Sequence, residues 1–590
     1  MKNLKHLNKY FIKYKWHLLL GTIFVGISNF FMVLVPREIR KSLDYIIDKT
    51  QSVDSADTSA SFMETFGGDM MKFSALVLGL TVVMGFFLYL TRKTIIVMSR
   101  LMEYDMRKEI YEKYQTLDLA FYKINKTGDL MSRVSEDVSK VRMYLGPGVM
   151  YSIRVALLFA FVIYSMFQVN VKLSYYTLLP LPFLSISIYY VSRIIHRRSD
   201  LIQRQISKLN SIAQEVYSGI RVVKSYAKED QFYDHFDEQS EDYKVKALKL
   251  ARVNAMFFPL MILLVSASNL LTVYIGGLLV SKGEITAGNI AEFVIYVNYL
   301  TWPITSIGWI ASIVQQADAS QKRINDMLQV DPQIKNETID EKTFQGDIEF
   351  DNVTFTYPDT GITAVKNVSF KINKGEKLAI VGRTASGKST FADLLLRFYN
   401  VSEGRILIDG KDINSLDLYN LRSKIGYVPQ NVFLFSDTIE NNIKFGDQNS
   451  SEGDIYLAAE NAAIKDDIDE LQDGFETVIG ERGVTLSGGQ KQRLSIARAL
   501  IKNPNIVILD DCLSALDANT EHKILNYLDE ELADKTSIII THRISNLMKF
   551  DKIIVLENGS IVEEGTHEEL MKNEGYYTQI IKNEFDSTEE

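Results

Sequence analysis

The sequence predicts a chain of two parts, a polytopic α-helical membrane part followed by an α/β part. Apolar residues of the first half concentrate in six stretches, each near the roughly 20 residues that cross about 30 Å of hydrocarbon as a helix. From about Gly346, short β-rich runs alternate with helical patterns, which is typical of an α/β sheet. The segment between them is polar. We therefore expect a membrane domain over residues 1–326, a linker over 327–345 and an α/β domain over 346–590.

The composition limits the class of protein. A chain of 590 residues is too long for one domain, and its net charge of −9 argues against a nucleic-acid partner. Cys512 is the only cysteine, so no disulfide can form within the chain. We expect a reducing compartment for this half of the chain, with Cys512 as a small buried hydrophobe rather than a reactive thiol.

A set of buried helices in a soluble protein would not give six stretches of this length with so few charges, so each stretch is predicted to span a membrane. The predicted spans are His17–Pro36, Phe73–Thr91, Pro147–Gln168, Leu173–Ile194, Ala255–Val280 and Ile290–Ile313. The first follows a lysine-rich N-terminus and is longer than the apolar core of a signal peptide. Kinks are expected at Pro180 and Pro182 in the fourth span and at Pro303 in the sixth.

Two long connections, between spans two and three and between spans four and five, are rich in Lys and Arg. This bias places them and the N-terminus in the cytoplasm. Because both are too long for turns, we expect membrane helices that extend far into the cytoplasm. The reversals are expected near residues 119–122 and 218–221.

Two ionisable residues in or near the spans are functional candidates, because charge within a membrane is costly. For Arg154, near the cytoplasmic side, snorkelling or structural pairing is favoured over substrate contact. For Glu292, near the outer end, a structural and a functional role have equal support.

The motif that points to chemistry is Val-Gly-Arg-Thr-Ala-Ser-Gly-Lys-Ser-Thr at residues 381–390, which has the spacing of a P-loop. The apolar run 378–381 predicts a buried strand before it, and 391–398 predicts a helix after it. Backbone N–H groups of such a loop bind phosphate oxygens, the lysine adds positive charge, and the serine offers a hydroxyl to Mg²⁺. The stretch therefore predicts a nucleotide site.

Two further motifs follow in the α/β part. Ile506–Leu509 predicts a buried strand that ends in Asp510, a carboxylate suited to the Mg²⁺ shell of a P-loop site. Leu486–Gln490 precedes a helix expected over 491–500, and its serine and glycines make a second helix start that receives anions. Ser487 also suits an ordinary N-cap, so that alternative stays open.

With these motifs in this order, nearly the whole chain resembles a half-size ATP-binding-cassette (ABC) exporter of the bacterial multidrug or lipid-flippase type. Leu486–Gln490 is identical to the family signature, and Ser514–Asp517 matches the loop that communicates between sites. Lys126–Leu130 and Ser218–Lys224 resemble the two cytoplasmic reversals that dock on nucleotide-binding domains.

The resemblance implies roles for individual residues. Tyr357 matches the aromatic residue that stacks on adenine, Gln430 the residue that joins Mg²⁺ to the membrane-domain interface, and His542 the histidine that contacts the γ-phosphate. The implied ATP-binding residues are Tyr357, Gly382, Arg383, Thr384, Ala385, Ser386, Gly387, Lys388, Ser389 and Thr390. The implied Mg²⁺ ligands are Ser389, Gln430 and Asp510, and the implied catalytic residues are Asp511, His542 and Gln430. The implied signature residues, which act on the partner's ATP, are Ser487, Gly488, Gly489 and Gln490.

The chain has one copy of each motif, so the resemblance implies a dimer. Each ATP would lie between one P-loop and the signature of the partner, and closure would turn an inward-open cavity outward. Asp511 departs from the family, which usually has Glu there; a carboxylate misplaced by about 1 Å can cost roughly 10²-fold in rate. This favours the weak-site subunit of a heterodimer, with a homodimer in which Asp511 works as the alternative. Ala385, where the family often has Gly, restricts the loop without removing a phosphate donor.

The function expected first is ATP-driven export or flipping of hydrophobic or amphipathic compounds across a bacterial-type inner membrane. The N-terminus and the nucleotide-binding domain would face the cytoplasm. The alternative is an ATP-gated channel or regulatory membrane protein with the same cassette, which a test of vectorial transport separates. Six spans disfavour a soluble cassette protein, and nothing in them names a substrate.

Overall fold

A computed structural model describes residues 2–52, 62–336, 344–480, 483, 486–513, 518–530, 534–541 and 550–588. The chain forms two compact units. The first comprises Met1–Lys113 and Gly128–Gln329, and the second comprises Tyr114–Thr127 and Val330–Glu590.

The first half of the chain is helical. In chain order its α-helices are α1 (Asn8–Lys13), α2 (Lys15–Ser52), α3 (Phe62–Thr91), α4 (Val97–Thr116), α5 (Leu119–Ile124), α6 (Thr127–Ser132), α7 (Val138–Met143), α8 (Val149–Val169), α9 (Val171–Leu178), α10 (Pro180–Ser218), α11 (Ile220–Ser225), α12 (Glu229–Ser281) and α13 (Ala287–Leu328). Short π-helical turns at Arg92–Ile96, Arg133–Asp137 and Tyr144–Gly148 join several of these into longer rods. Of these helices, α5 lies in the second unit.

Five helical stretches among the described residues are long and apolar enough to cross a membrane. They are Lys15–Thr50, Gly67–Thr116, Thr127–Val169, Val171–Ser218 and Glu229–Ser281. They contain the first five predicted spans. Each is longer than the roughly 20 residues that a bilayer requires. For the four stretches from Gly67 onward, this agrees with the predicted extensions beyond the membrane.

The sixth predicted span lies within α13, which is one continuous helix but is not among these five. Buried polar residues such as Asn289, Glu292 and Ser306 lower its mean hydropathy. The same helix supplies fully buried Phe293 and Tyr296 to the core of the first unit. Packing against protein rather than lipid explains why this helix tolerates polar side chains.

Both predicted reversals are confirmed by contacts across the helix pairs. Arg142 Nε lies 3.4 Å from Glu103 Oε2, and Gln205 Nε2 donates a 2.9 Å hydrogen bond to the carbonyl oxygen of Gln239. Short helices α5 and α11 occupy the turning points. The fourth span is interrupted at its prolines, because α9 ends at Leu178 and α10 begins at Pro180.

The second unit contains two sheets. Its strands are β1 (Ile348–Thr356), β2 (Thr363–Ile372), β3 (Lys377–Gly382), β4 (Glu403–Ile408), β5 (Lys411–Asp412), β6 (Ile425–Val428), β7 (Ile506–Asp510), β8 (Thr536–Ile540), β9 (Lys552–Glu557) and β10 (Ser560–Gly565). The antiparallel sheet has the order β2-β1-β4-β5, and the second sheet has the order β10-β9-β3-β8-β7-β6. In the second sheet, β9, β3, β8, β7 and β6 are parallel and β10 is antiparallel.

Helices cover these sheets and connect their strands. They are α14 (Lys388–Leu395), α15 (Leu418–Ser423), α16 (Ile439–Lys444), α17 (Glu452–Asn461), α18 (Lys465–Asp469), α19 (Gly488–Leu500), α20 (Ala518–Glu530), α21 (His567–Lys572) and α22 (Tyr576–Thr588). The predicted strands at the P-loop and at residues 506–509 are confirmed as β3 and β7. Because β3 and β7 are both parallel to β8, their carboxyl ends lie at the same edge of the sheet. That edge is where α/β sheets bind ligands.

The stretch between the units is shorter at both ends than the linker expected over residues 327–345. Helix α13 continues to Leu328, and Phe344 is already buried in the core of the second unit. Residues 337–343 lie outside the described residues.

Candidate nucleotide site

The phosphate loop connects β3 directly to α14. Gly387 is the N-cap of α14 with φ of 102°, and a Cβ at this position would lie 2.2 Å from the carbonyl oxygen of Ala364. Only glycine fits there without strain or clash. The helix begins at Lys388, three residues before the predicted start, because this left-handed glycine starts it immediately. It ends at Leu395, and Arg397 follows with φ of 52°.

Ala385 lies in the left-handed region, with φ of 66°. This conformation costs a residue with a Cβ about 1–2 kcal/mol, whereas glycine adopts it freely. The departure noted in the sequence therefore falls at a position that favours glycine.

Lys388 closes the loop on itself. Its Nζ donates hydrogen bonds to the carbonyl oxygens of Gly382, at 2.7 Å, and Arg383, at 2.8 Å. Burial lowers the pKa of this ammonium group, an effect that the carboxylates of Asp511 and Asp510 oppose. The positive charge therefore lies at the mouth of the loop, next to two carboxylates.

Four oxygen- and amide-bearing side chains gather at the ends of β3, β6 and β7. Ser389 Oγ donates to Asp510 Oδ1 at 3.0 Å, and Gln430 Nε2 donates to Asp511 Oδ2 at 3.1 Å. Burial raises the pKa of Asp510, helped by Asp511 and opposed by the Ser389 hydroxyl and Lys388. Among the residues that the structure describes, no three His, Cys, Asp or Glu side chains group in a way that would hold a metal by themselves.

One cleft of about 1150 Å³ unites these groups. Its lining includes all ten residues predicted to bind ATP, together with Gln430, Asp510 and Asp511. Sequence reasoning missed other lining residues, including Lys123, Lys366, Asn558, Gly559 and Ile580. Lys123 lies beside the predicted reversal at 119–122. The resemblance implied that this region docks on a nucleotide-binding domain, but nothing in the sequence placed Lys123 in the cleft.

Tyr357 follows β1 and lines the cleft beside α14. Its hydroxyl lies 3.0 Å from Thr390 Oγ1 and donates a longer hydrogen bond, of 3.4 Å, to Asp393 Oδ2. Burial raises the pKa of Asp393 to about 6, although Lys123 and the Tyr357 hydroxyl act in the opposite direction. These bonds hold the tyrosine ring against the helix that follows the phosphate loop.

The signature residues lie outside this cleft, at the start of α19. Ser487 is confirmed as an N-cap: Gln490 N donates to its Oγ at 3.2 Å, and Ser487 N donates to Gln490 Oε1 at 3.0 Å. Gln490 Nε2 also donates to Asp467 Oδ1 at 3.0 Å. The chain thus forms a complete capping box at the point where the resemblance implies contact with another subunit's ATP.

Some predicted residues cannot be placed. His542 and Ser514–Asp517 lie outside the described residues. Cys512 is 1% exposed within the core, and burial raises the pKa of its thiol far above the ordinary value, so the interpretation as a buried hydrophobe is confirmed.

The two ionisable candidates of the first unit, Glu292 and Arg154, differ in their side-chain contacts. Arg40 Nη1 lies 3.1 Å from Glu292 Oε2, and the Tyr296 hydroxyl donates to Glu292 Oε1 at 2.9 Å. Glu292 therefore joins α2 to α13 through its ion pair with Arg40. The Arg154 guanidinium makes no hydrogen bond or ion pair with any described residue, so structural pairing is not seen for it in this part of the chain.

Comparison with known proteins supports the resemblance to ABC transporters. A family model described as "ABC transporter transmembrane region" matches residues 18–304, and one described as "ABC transporter" matches residues 365–514. YknU of Bacillus subtilis, an uncharacterized ABC transporter ATP-binding protein, is 40% identical over 479 residues, which cover 81% of this chain and 82% of that protein.

Two further relatives carry more specific names. The multidrug resistance-like ATP-binding protein MdlA of Escherichia coli is 34% identical over 574 residues, covering 97% of this chain and 95% of MdlA. The ATP-dependent lipid A-core flippase of Pseudomonas savastanoi is 35% identical over 478 residues, covering 81% of this chain and 79% of the flippase. With a membrane region and an ATP-binding region in one chain, and relatives matched over most of their length, this chain belongs to the ABC transporter family as an ATP-hydrolysing half-size exporter.

Proposed function

We propose that the chain uses ATP to export or flip hydrophobic or amphipathic compounds, drugs or lipids, across the cytoplasmic membrane. The observation that carries this proposal is the presence, in one chain, of membrane-length apolar helices and a cleft lined by a phosphate loop and Asp510. The names of MdlA and of the lipid A-core flippase support this substrate range. The lysine- and arginine-rich connections support a cytoplasmic position for the N-terminus and the nucleotide-binding domain.

The chemistry of the side chains that line the cleft suits different parts of Mg²⁺-ATP. Backbone amides of the loop and Lys388 would hold the phosphates, and Tyr357 would stack on the base. Ser389, Asp510 and Gln430 fit Mg²⁺, because a hydroxyl, a carboxylate and an amide supply oxygen ligands. The Gln430 nitrogen faces Asp511, which leaves the amide oxygen available. Bound Mg²⁺ would neutralise charge on the phosphates.

A dimer completes the site. The signature residues 487–490 do not line the cleft of their own chain, so the α19 start of a second nucleotide-binding domain would cover the phosphates. We favour a heterodimer with a related half-transporter over a homodimer, because Asp511 is one methylene shorter than the usual glutamate. Asp511 would still orient water, but from a less favourable distance.

The test is transport by the full-length chain in sealed vesicles, alone and with a related half-transporter, using a fluorescent amphipathic probe. ATP-dependent accumulation that requires Lys388 supports an exporter. Probe or ion flow that ATP switches on, but that only follows the gradient, would instead establish a gated channel.

A further inference from the structure

A short segment from the helical half of the chain, 114–127, lies in the ATP-binding unit. Leu119 and Ala120 pack against the hydrophobic core of that unit. Asp118 caps α5 by accepting from Phe121 N at 3.1 Å, and its other oxygen accepts from Gln333 N at 2.8 Å. The backbone of α5 is therefore held in a defined place beside the nucleotide cleft.

Lys123 extends from α5 into that cleft. Its Nζ lies 4.5 Å from the centroid of the Tyr357 ring and 5.1 Å from that of Tyr399, which are cation–π distances. Burial lowers the pKa of this ammonium, but Tyr399, Tyr357 and the Asp393 carboxylate outweigh burial, so its pKa lies above the ordinary value. The group is thus a stable cation on the face of Tyr357.

The Tyr357 ring cannot easily turn away from this cation. Its hydroxyl is held by Thr390 and Asp393 of α14, and the rings of Phe355 and Tyr399 contact it at nearly right angles, with centroids 4.9 Å and 5.4 Å away. An aromatic face accepts one close partner at a time. A base stacked on this face needs the volume that the Lys123 ammonium occupies.

We propose that Lys123 and the nucleotide base compete for the same face of Tyr357. Base binding then releases Lys123 and removes a contact that holds segment 114–127 beside the cleft. This inference rests on the proposed stacking of the base on Tyr357. The ligand is a nucleotide with a planar base, and the phosphates alone do not displace Lys123. The coupling is reciprocal: whatever withdraws α5 from the cleft strengthens base binding.

The first test compares ATP with tripolyphosphate, which has the phosphates but no base. Binding to the full-length chain in lipid nanodiscs is measured by calorimetry without Mg²⁺, so that hydrolysis does not interfere. Lys123→Met removes the competing cation and keeps the aliphatic stem, so ATP should bind roughly two- to fivefold more tightly. Binding of tripolyphosphate should not change. Lys126→Met, the same change three residues away, is the matched control and should alter neither.

Each alternative outcome has a definite meaning. Unchanged ATP affinity in Lys123→Met, or a loss for both ligands, would overturn competition and make Lys123 a bystander or a phosphate ligand. Tyr357→Ala tests the underlying assumption separately, since it should weaken ATP binding and spare tripolyphosphate. If it does not, base stacking itself is wrong. In the double variant, the gain from Lys123→Met should disappear.

A second measurement needs no substitution. Hydrogen exchange of the α5 amides in the wild-type chain should become faster when ATP is bound and stay the same with tripolyphosphate. Protection of α5 by ATP would contradict release of Lys123.

Discussion

The two helix starts of the ATP-binding unit share glycine-rich sequences but differ in their hydrogen bonds. Helix α14 begins after left-handed Gly387 with no side-chain cap, and its first turn faces the cleft. Helix α19 begins after Ser487, and the capping box bonds two backbone amides within the chain, those of Ser487 and Gln490. The start of α14 therefore has no amide bonded to a side-chain cap, whereas the start of α19 has one first-turn amide, that of Gln490, already bonded within the chain.

This difference corresponds to two separate roles of the helix starts in a half-size exporter. In the dimer proposed above, the P-loop would bind nucleotide with residues of its own chain, and the signature would contribute residues to the cleft of the other chain. The capping box stabilises the start of α19 without that partner, because Ser487 supplies an acceptor for the Gln490 amide from the same chain.

The largest difference between the two helix starts is expected when the lysine at each start is replaced. Lys388→Ala should weaken ATP binding by a single chain roughly 10²-fold, because it removes a charged donor from the phosphate loop. Lys491→Ala, at the start of α19, should leave that affinity unchanged. Equilibrium titration with a fluorescent ATP analogue measures both. Equal effects of the two changes would contradict the division between the helix starts.

Asp511→Glu tests whether the cleft of this chain is the weaker one. Restoring the longer carboxylate should raise ATP turnover by about tenfold or more, because the group that orients water moves closer by about 1 Å. Phosphate release by the full-length chain is the measurement, with Asp511→Asn as the control that should lower it. Fast turnover by the unmodified chain alone, with no gain from glutamate, would favour a homodimer.

Ser487→Ala tests the cap. Loss of the Ser487 hydroxyl should lower the free energy of unfolding by about 1 kcal/mol and the melting temperature of the ATP-binding unit by roughly 2–4 °C. ATP binding by the single chain should persist, while turnover of the assembled dimer should fall. Ser451→Ala, which removes the similar capping box of α17, is a matched control for the stability effect alone.

Asp393→Asn probes the buried carboxyl group of α14. Since burial raises the pKa of Asp393 from 3.8 to about 6, its ionisation destabilises the folded unit, and this penalty grows as the pH rises between those values. The variant should therefore gain more melting temperature over wild type at pH 7.5 than at pH 5. An equal difference at both pH values would show that Asp393 titrates normally.

The smallest effect is expected at Ala385. Ala385→Gly removes a strained left-handed alanine but increases the freedom of the unfolded chain, so the free energy of unfolding should rise by at most about 1 kcal/mol. Gly387→Ala is the opposite case and should destabilise the loop strongly, because its Cβ would meet the carbonyl oxygen of Ala364. Calorimetric melting separates the two. A clear loss of stability in Ala385→Gly would remove the strain argument.

Local patterns predicted the strands and the loop that build the phosphate site. The apolar runs before Gly382 and Asp510 are short, continuous and bounded, so β3 and β7 followed directly from the sequence. The P-loop spacing identified the lining residues 382–390, because that chemistry depends on neighbours in the chain.

Contacts between distant residues were beyond such patterns. Lys123 reaches Tyr357, and Arg40 reaches Glu292, only through the folded arrangement of helices that are far apart in sequence. The sixth span was predicted by length, but its polarity makes sense only once α13 is seen to be packed inside protein. Local sequence carries no information on which neighbours will surround a helix.

The burial of Cys512 has a practical consequence for following this transporter at work. A thiol so inert leaves the native chain nearly silent toward maleimide reagents, so a cysteine introduced at an exposed position would carry the dominant label. Spin or fluorophore pairs introduced on this chain could then report its conformational changes without first removing its natural cysteine.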